Sequence, residues 1–194
     1  MNVEYYLNND AHGQDRLIVA DPLYAVIDGV SSSNGGFAAD VLERILLEDR
    51  PSSPSDVLES IERAHKAIVW SGMTTIAGVL RQEDIFYCFS VGDSSTYAAN
   101  TLVHHLDNEV FPGGLPDPAR LEQAIGWRYF MHDTHIPLQP VMLATDGITD
   151  NIDISHLYSK KRVLNALNVA KQNNESRVYG RFKHDDQALI VLNP

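Results

Sequence analysis

Five aspartates stand at places where an apolar run of the sequence meets a turn. Carboxylates that converge at the rim of a sheet repel one another, and each raises the pKa of its neighbours. A divalent cation removes this conflict, and a donor set made only of oxygen atoms suits Mg²⁺ or Mn²⁺. The sequence therefore predicts a carboxylate metal site, if the fold brings these side chains together: Asp10, Asp28, Asp93, Asp146 and Asp185.

Each of these signals, taken singly, is typical of a turn. Asp-Gly after a strand, as at Asp28-Gly29 and Asp146-Gly147, is among the commonest turn signals. Asp93 lies between a glycine and a serine, and we expect it to form a hairpin turn rather than to bind metal. The prediction of a metal site therefore rests on the order and spacing of the five aspartates together, and no single aspartate supports it alone.

The elements that must position these carboxylates are short strands and amphipathic helices. Apolar runs bounded by turn residues predict strands, whereas residues 37–46 and 57–68 have apolar side chains at helical spacing. Strands joined by short turns favour antiparallel pairing, and residues 73–106 predict a four-stranded meander. A further short helix is predicted over residues 121–125. This order predicts an α+β fold in one domain spanning residues 1–194.

Composition excludes several classes of function. The chain of 194 residues has 15 basic and 26 acidic side chains, a formal charge of −11, which argues against binding to nucleic acid or to an anionic membrane. Its single cysteine excludes an internal disulfide and a zinc site built from cysteines. No run of apolar residues is long enough to span a membrane, and no signal sequence is evident. We expect a cytoplasmic monomer.

Segments around the aspartates carry a specific resemblance. They are Asn8-Asn9-Asp10-Ala11, Val26-Ile27-Asp28-Gly29 followed by Gly35-Gly36, Ser71-Gly72-Met73-Thr74-Thr75, Val91-Gly92-Asp93-Ser94, Thr145-Asp146-Gly147-Ile148-Thr149-Asp150, and His184-Asp185-Asp186-Gln187-Ala188. In this order, the series resembles the motifs of the metal-dependent protein serine/threonine phosphatases of type 2C. The likeness spans residues 8–192.

The resemblance implies a fold and a set of ligands. The fold is a four-layer α-β-β-α sandwich of two mainly antiparallel sheets flanked by helices. Two Mn²⁺ or Mg²⁺ ions lie at one edge of it. Asp28 is expected to bridge both ions and Gly29 to offer its carbonyl oxygen to one, while Asp146 and Asp185 bind the other and Asp10 holds metal-bound waters.

A third ion is found in many bacterial members, and the resemblance makes Asp107 its candidate ligand. The alternative is that Asp107 is an ordinary exposed acid in a loop. Asp150 is expected to support the site through water.

The phosphate-binding residues depart from the family pattern. The arginine that clamps the substrate phosphate is replaced by Tyr5. Arg16, on the next predicted strand, is a possible substitute for this charge. The hydroxyl and amide groups of the inserted segment Ser31 to Ser33 are another.

The resemblance implies an enzyme that hydrolyses phosphoserine and phosphothreonine in proteins. The expected reaction is in-line attack by a metal-bridging hydroxide, without a phosphoenzyme. Two alternatives stay open. The chain could be a regulatory or binding module that keeps the fold but has a weakened grip on phosphate, or a phosphomonoesterase for a small metabolite.

Overall fold

A computed structural model of the protein describes residues 1–98, 101–104, 124–126 and 129–194. The described residues form ten strands and four helices. In order they are β1 (Asn2–Asn8), β2 (Arg16–Ala20), β3 (Leu23–Gly29), α1 (Gly35–Asp49), α2 (Pro54–Ile68), β4 (Thr74–Gln82), β5 (Ile85–Val91), β6 (Ser95–Ala98), β7 (Thr101–His104), β8 (His132–Pro137), β9 (Val141–Ala144), α3 (Asp146–Thr149), α4 (Lys160–Asn173) and β10 (Gln187–Asn193).

The strands form two five-stranded sheets. The first sheet has the order β1-β10-β9-β6-β7, and the second has the order β2-β3-β4-β5-β8. All pairings between these strands are antiparallel. The predicted α+β class with two antiparallel sheets is therefore confirmed.

Three apolar cores lie between the four layers of the fold. They form because successive side chains of a strand point to opposite faces of its sheet. In β3, Ala25 and Ile27 pack against α1 and α2, whereas Tyr24 and Val26 lie between the two sheets. On the outer face of the first sheet, Leu189 of β10 joins a third core that includes apolar side chains of α4. The layers follow the predicted order of helices, sheet, sheet, helix.

The predicted meander over residues 73–106 is wrong in its middle connection. β4 pairs with β5 and β6 pairs with β7, but β5 and β6 belong to different sheets. The chain crosses between the sheets at Gly92 and Asp93, where Gly92 has a φ of 87° that favours glycine. A turn composition alone does not distinguish this crossing from a hairpin, because both need a sharp change of direction.

One further strand was not predicted, and one predicted helix lies mostly outside the described residues. The edge strand β8 was not predicted, because its sequence His-Asp-Thr-His-Ile-Pro is largely polar and alternates only between partly buried and exposed positions. The predicted helix over residues 121–125 lies mostly outside the described residues, and its last residue, Ile125, forms an isolated antiparallel bridge with Thr74. None of the helices in the described ranges combines the length and apolar character needed to cross a membrane.

Candidate metal and phosphate site

A cleft of about 180 Å³ lies at one end of the sandwich. Strands β3 and β5 end there and β4 begins beside them, while β9 leads into α3 at the same end. Acidic side chains dominate its lining, which consists of Asp28, Gly29, Val30, Ser31, Thr75, Asp93, Asp146, Tyr179, Lys183 and Asp185. The structure thus brings together three of the predicted ligand carboxylates, those of Asp28, Asp146 and Asp185.

Asp28 and Asp146 are in direct contact within the cleft. Asp28 is the penultimate residue of β3, and the Thr74 hydroxyl fixes its backbone by donating a 2.7 Å hydrogen bond to its carbonyl oxygen. The Asp28 carboxyl group lies close enough to that of Asp146 to share a hydrogen bond with it when one of the two is protonated. Removal from water and the charges of Asp146, Asp15 and Asp93 raise the pKa of Asp28 well above its usual value. Two carboxyl groups so close can share a proton or a cation.

Asp15 belongs to the same cluster, although the sequence analysis did not single it out. Its side chain is 1% exposed, and its Oδ2 accepts a 2.9 Å hydrogen bond from the Thr145 hydroxyl. Burial raises the pKa of Asp15 to about 8, the Thr145 hydrogen bond opposes this, and the charges of Asp146, Asp186 and Asp185 add to it. Its position immediately before β2 is a signal of the same kind as that of the other aspartates.

Asp10 lies outside the cleft. It is exposed, and it lines a neighbouring cavity of about 380 Å³ together with Asp185. Its backbone N–H is bonded to the side chain of Asn8, which closes a local turn. The expected role of Asp10 near the metal stays a prediction, and Asp15 occupies the buried position among the carboxylates.

Asp186 fastens the loop between β1 and β2 to the start of β10. Its carboxylate accepts hydrogen bonds from the backbone N–H groups of Ala11, His12 and Gln14, at 3.1, 2.9 and 2.7 Å. Burial raises the pKa of Asp186, but the loop N–H groups outweigh this effect, and its pKa is lowered. This carboxylate therefore stays ionised and holds the segment that carries Asp15.

Asp93 contributes a side chain to the cleft as well as forming the crossing between the sheets. Burial and the charge of Asp146 raise the pKa of Asp93 to about 7, and Lys183 acts in the opposite direction. Its neighbour Ser94 is buried and lies 2.9 Å from the Thr75 hydroxyl, which ties this connection to β4. The prediction of a turn residue describes its backbone, whereas the side chain lies among the carboxylates.

Lys183 is the only cationic side chain among the described residues that line the cleft. Its Nζ lies 2.6 Å from Oδ2 of Asp146, 3.0 Å from Oδ2 of Asp150 and 3.0 Å from Oδ2 of Asp185. Burial lowers the pKa of Lys183, but these carboxylates outweigh it and raise the pKa overall. No local signal in the sequence distinguishes Lys183, because a lysine before a His-Asp-Asp turn looks like an ordinary exposed side chain.

Comparisons with known proteins rest on structure alone. No family model and no curated protein matches this sequence. The serine/threonine phosphatase PstP/Ppp of Mycobacterium tuberculosis matches with a TM-score of 0.74 at 16% identity, over 98% of both chains. The PPM Ser-Thr phosphatase MsPP of Mycobacterium smegmatis, in complex with cacodylate, matches with a TM-score of 0.72 at 15% identity, over 100% of this chain and 98% of that one. The serine/threonine phosphatase Stp1 of Staphylococcus aureus matches with a TM-score of 0.71 at 12% identity, over 99% of this chain and 94% of that one.

The chain has the fold of the PPM serine/threonine phosphatases. A second structure of PstP contains two manganese ions, and it matches with a TM-score of 0.72 at 16% identity over 98% of this chain and 97% of that one. The predicted four-layer sandwich agrees with this PPM fold.

The Gly29 and Gly35 backbones of this PPM fold are in close contact. A Cβ atom at Gly35 would overlap Gly29 and the backbone of Val30, and one at Gly29 would lie 2.6 Å from the carbonyl carbon of Gly35. The two glycines therefore bring the start of α1 against the end of β3. They also close the base of the loop of residues 30–34, which contains the inserted segment Ser31 to Ser33. This contact is the structural reason for glycine at both positions.

Only the first serine of the inserted segment faces the cleft. Ser31 lines it and its hydroxyl lies 3.1 Å from the Gln14 side chain. The Ser33 hydroxyl donates to the Val30 carbonyl and accepts from the Met73 N–H, so it holds the segment itself. Of the three serines, Ser31 is thus the one placed to contact a phosphate.

Neither Tyr5 nor Arg16 supplies a free positive charge to the cleft. Tyr5 is 55% exposed on β1. The Arg16 guanidinium is bonded to Asp40, at 2.6 Å from Nη2, and to the carbonyl oxygens of Gly13 and Asp15. The role of Arg16 here is to brace the loop before β2.

The carboxylates differ in how well they fit a divalent ion. Asp28, Asp15 and Asp93 offer oxygen donors whose charges conflict, a donor set that suits Mg²⁺ or Mn²⁺. Within the described residues, however, no group of three or more acidic, histidine or cysteine side chains is already positioned to hold a metal ion. At the other end of the cleft, Lys183 holds the carboxylates instead. Asp107, the candidate for a third ion, lies outside the described residues.

Proposed function

We propose that the chain is a metal-dependent phosphomonoester hydrolase that acts on phosphoserine and phosphothreonine in proteins. The observation that carries this proposal is the pairing of Asp28 with Asp146 in a small acidic cleft, with Asp15 buried beside them. Burial and neighbouring carboxylates raise the pKa of Asp28 and of Asp15, and a bound cation would remove this electrostatic conflict. The shared fold of three phosphatases supports the same reading.

Asp28, the Gly29 carbonyl group and Asp146 are the groups that we propose to hold Mg²⁺ or Mn²⁺, with Asp15 and Asp93 beside them and Asp185 at the far end. When bound, such an ion supplies a nucleophilic water at neutral pH and positive charge for the phosphoryl oxygens. The protein itself orients the groups that line the cleft. Thr74 fixes the backbone of Asp28, and Ser94 and Thr75 brace the wall of the cleft.

Asp93 and Asp15 are the groups suited to handle protons. Without a bound ion, burial and neighbouring carboxylates raise the pKa of Asp93 to about 7 and that of Asp15 to about 8, so each can exchange a proton near neutral pH. Asp93 lines the cleft, whereas Asp15 is buried behind it. We propose Asp93 as the group that gives a proton to, or takes one from, the reacting phosphate or water.

The experiment is hydrolysis of an aryl phosphate and of a phosphothreonine peptide, with Mn²⁺ and with EDTA, by the wild type and by Asp146→Asn. We expect turnover of both substrates with Mn²⁺, loss in EDTA, and a fall of about a hundredfold or more in the variant. The matched control is Asp84→Asn, an exposed aspartate in the turn at the opposite end of β4, which should keep full activity. Turnover that survives EDTA would contradict the proposal.

A regulatory phosphate-binding module is the second candidate, and one observation favours it. Arg16 is engaged elsewhere, Tyr5 is exposed, and Lys183 is paired with three carboxylates. The described residues thus leave the cleft without a free cation for phosphate. Binding of Mn²⁺ without turnover of either substrate would support this module over the enzyme.

A further inference from the structure

The ammonium group of Lys183 occupies a position among carboxylates that resembles the environment of a bound cation. Three oxygen atoms, one each from Asp146, Asp150 and Asp185, lie within 3.0 Å of its Nζ. An ammonium group has three N–H donors and no acceptor, so these three carboxylates use its full donor capacity. The Lys183 ammonium group thus fills the position between the three carboxylates, and no further ion is needed there.

The backbone of Lys183 is held as firmly as its side chain. The amide of Asn151, which is buried, donates to the Lys183 carbonyl at 3.0 Å and accepts from the Lys183 N–H at 2.8 Å. The same amide nitrogen also donates to the Gly147 carbonyl at 2.9 Å, which links Lys183 to the helix that starts at Asp146. A residue fixed at both of its backbone polar groups does not leave the cleft by a simple loop movement.

The rest of the acidic cluster lacks such a partner. Among the described residues, no lysine or arginine forms a salt bridge with Asp28 or with Asp15. The positive charge of Lys183 is thus placed at one end of the cleft, and the uncompensated carboxyl groups lie at the other. A divalent ion has a reason to bind at the Asp28 end only.

We propose that the Lys183 ammonium group takes the place of one divalent ion, so that this protein binds a single ion beside Asp28. The inference rests on the proposed metal dependence of the site. It separates this chain from PstP, which shares the fold and is in complex with two manganese ions. A second ion at Asp185 would have to compete with Lys183 for the carboxylates of Asp146 and Asp185.

The first test counts bound ions. Mn²⁺ is titrated into the metal-free full chain, and bound and free ions are measured by electron paramagnetic resonance for the wild type, Lys183→Met and Lys161→Met. Lys161 is an exposed lysine on α4 and serves as the matched control. We expect one tight ion in the wild type and in Lys161→Met, and two in Lys183→Met, because Met is similar in length but has no ammonium group to hold the carboxylates of Asp146 and Asp185.

The second measurement needs only the wild type and covers the case in which Lys183→Met does not fold. Lysines are acetylated with acetic anhydride and mapped by mass spectrometry, in EDTA and in saturating Mn²⁺. We expect Lys183 to be protected under both conditions while Lys161 reacts. Exposure of Lys183 by Mn²⁺ would show that the metal displaces it and would overturn the inference.

The remaining outcomes separate this inference from the proposed function. Two tight ions in the wild type, or one in a folded Lys183→Met, overturn the inference and leave a metal-dependent hydrolase in place. Absence of Mn²⁺ binding in all three proteins overturns the proposed function and the inference together.

Discussion

The hydroxyl group of Thr145 donates a 2.9 Å hydrogen bond to the buried carboxylate of Asp15. The same hydroxyl oxygen accepts the N–H of Ala188 at 3.0 Å. Thr145 therefore joins three parts of the chain, namely the loop before β2, the start of α3 and the second residue of β10. Its hydrogen bonds link the positions of these segments without any metal.

Replacing Thr145 with valine should destabilise the protein by about 1–3 kcal/mol, because the buried Asp15 carboxyl and the Ala188 N–H both lose a partner. Urea unfolding measures this free energy. Thr96→Val is the control, since Thr96 is equally buried and its hydroxyl has no hydrogen-bond partner among the described residues. An equal loss of stability in both variants would contradict the assigned role of Thr145.

Asp15 and Asp10 can be distinguished by metal affinity. Asp15 lies among the carboxylates of the cleft, whereas Asp10 is exposed beside a separate cavity. We expect Asp15→Asn to weaken Mn²⁺ binding about tenfold or more, and Asp10→Asn to change it by less than about threefold. Isothermal titration calorimetry on the full chain measures both. The reverse ranking would return the ligand role to Asp10.

The stability of the metal-free protein should depend on the protonation of Asp15. Its pKa is about 8 in the folded protein, so the folded state binds a proton that the unfolded chain releases above about pH 4. The stabilisation from this proton is complete below about pH 4 and is lost as the pH rises toward about 8.

The wild type in EDTA should therefore lose melting temperature relative to Asp15→Asn between about pH 5 and about pH 8, by about 4 °C or more. Differential scanning calorimetry of both proteins checks this. Asparagine is a suitable replacement because it is neutral and its oxygen still accepts from Thr145. Parallel pH profiles for the two proteins would show that Asp15 does not titrate in this range.

Two adjacent glycines should respond in opposite ways to alanine. A Cβ atom at Gly35 overlaps the Gly29 backbone, whereas one at Gly36 meets only the Gln14 side chain at 3.7 Å. Gly35→Ala should cost about 2–3 kcal/mol or more, and Gly36→Ala should stabilise α1 by up to about 1 kcal/mol. Thermal unfolding of the two variants gives the comparison. A similar response of both would mean that the chain relaxes at Gly35.

Much of the fold follows from apolar periodicity in the sequence. The apolar runs Arg16–Ala20, Ile85–Val91 and Val141–Ala144 coincide with β2, β5 and β9. The helix α2 begins at Pro54, after the capping residue Ser53. The Ser53 side chain accepts the Asp56 N–H, and Asp56 reciprocates as a capping box. Such local signals succeed because hydrogen bonding and burial within a few residues decide them.

The candidate site was predicted in part, for a different reason. Asp28, Asp146 and Asp185 stand beside recognisable turns, and the structure brings them into one cleft. Asp15 precedes β2 and has a comparable local signal that was not used, whereas Lys183 has none. Contacts with residues distant in the sequence place both side chains in the acidic cluster. The edge strand β8 was not predicted from the sequence, because a polar strand at the rim of a sheet has little apolar alternation.

The crossing at Gly92 and Asp93 has a mechanical consequence. Asp93 is carried by the link between the two sheets, whereas Asp28 sits on the second sheet and Asp146 follows a strand of the first. Any sliding of one sheet over the other therefore changes the spacing of all three carboxylates at once. The spacing of these carboxylates therefore depends on the packing of the apolar layer between the sheets. A void opened in this layer should change the affinity of the cleft for an ion without touching any of its ligands.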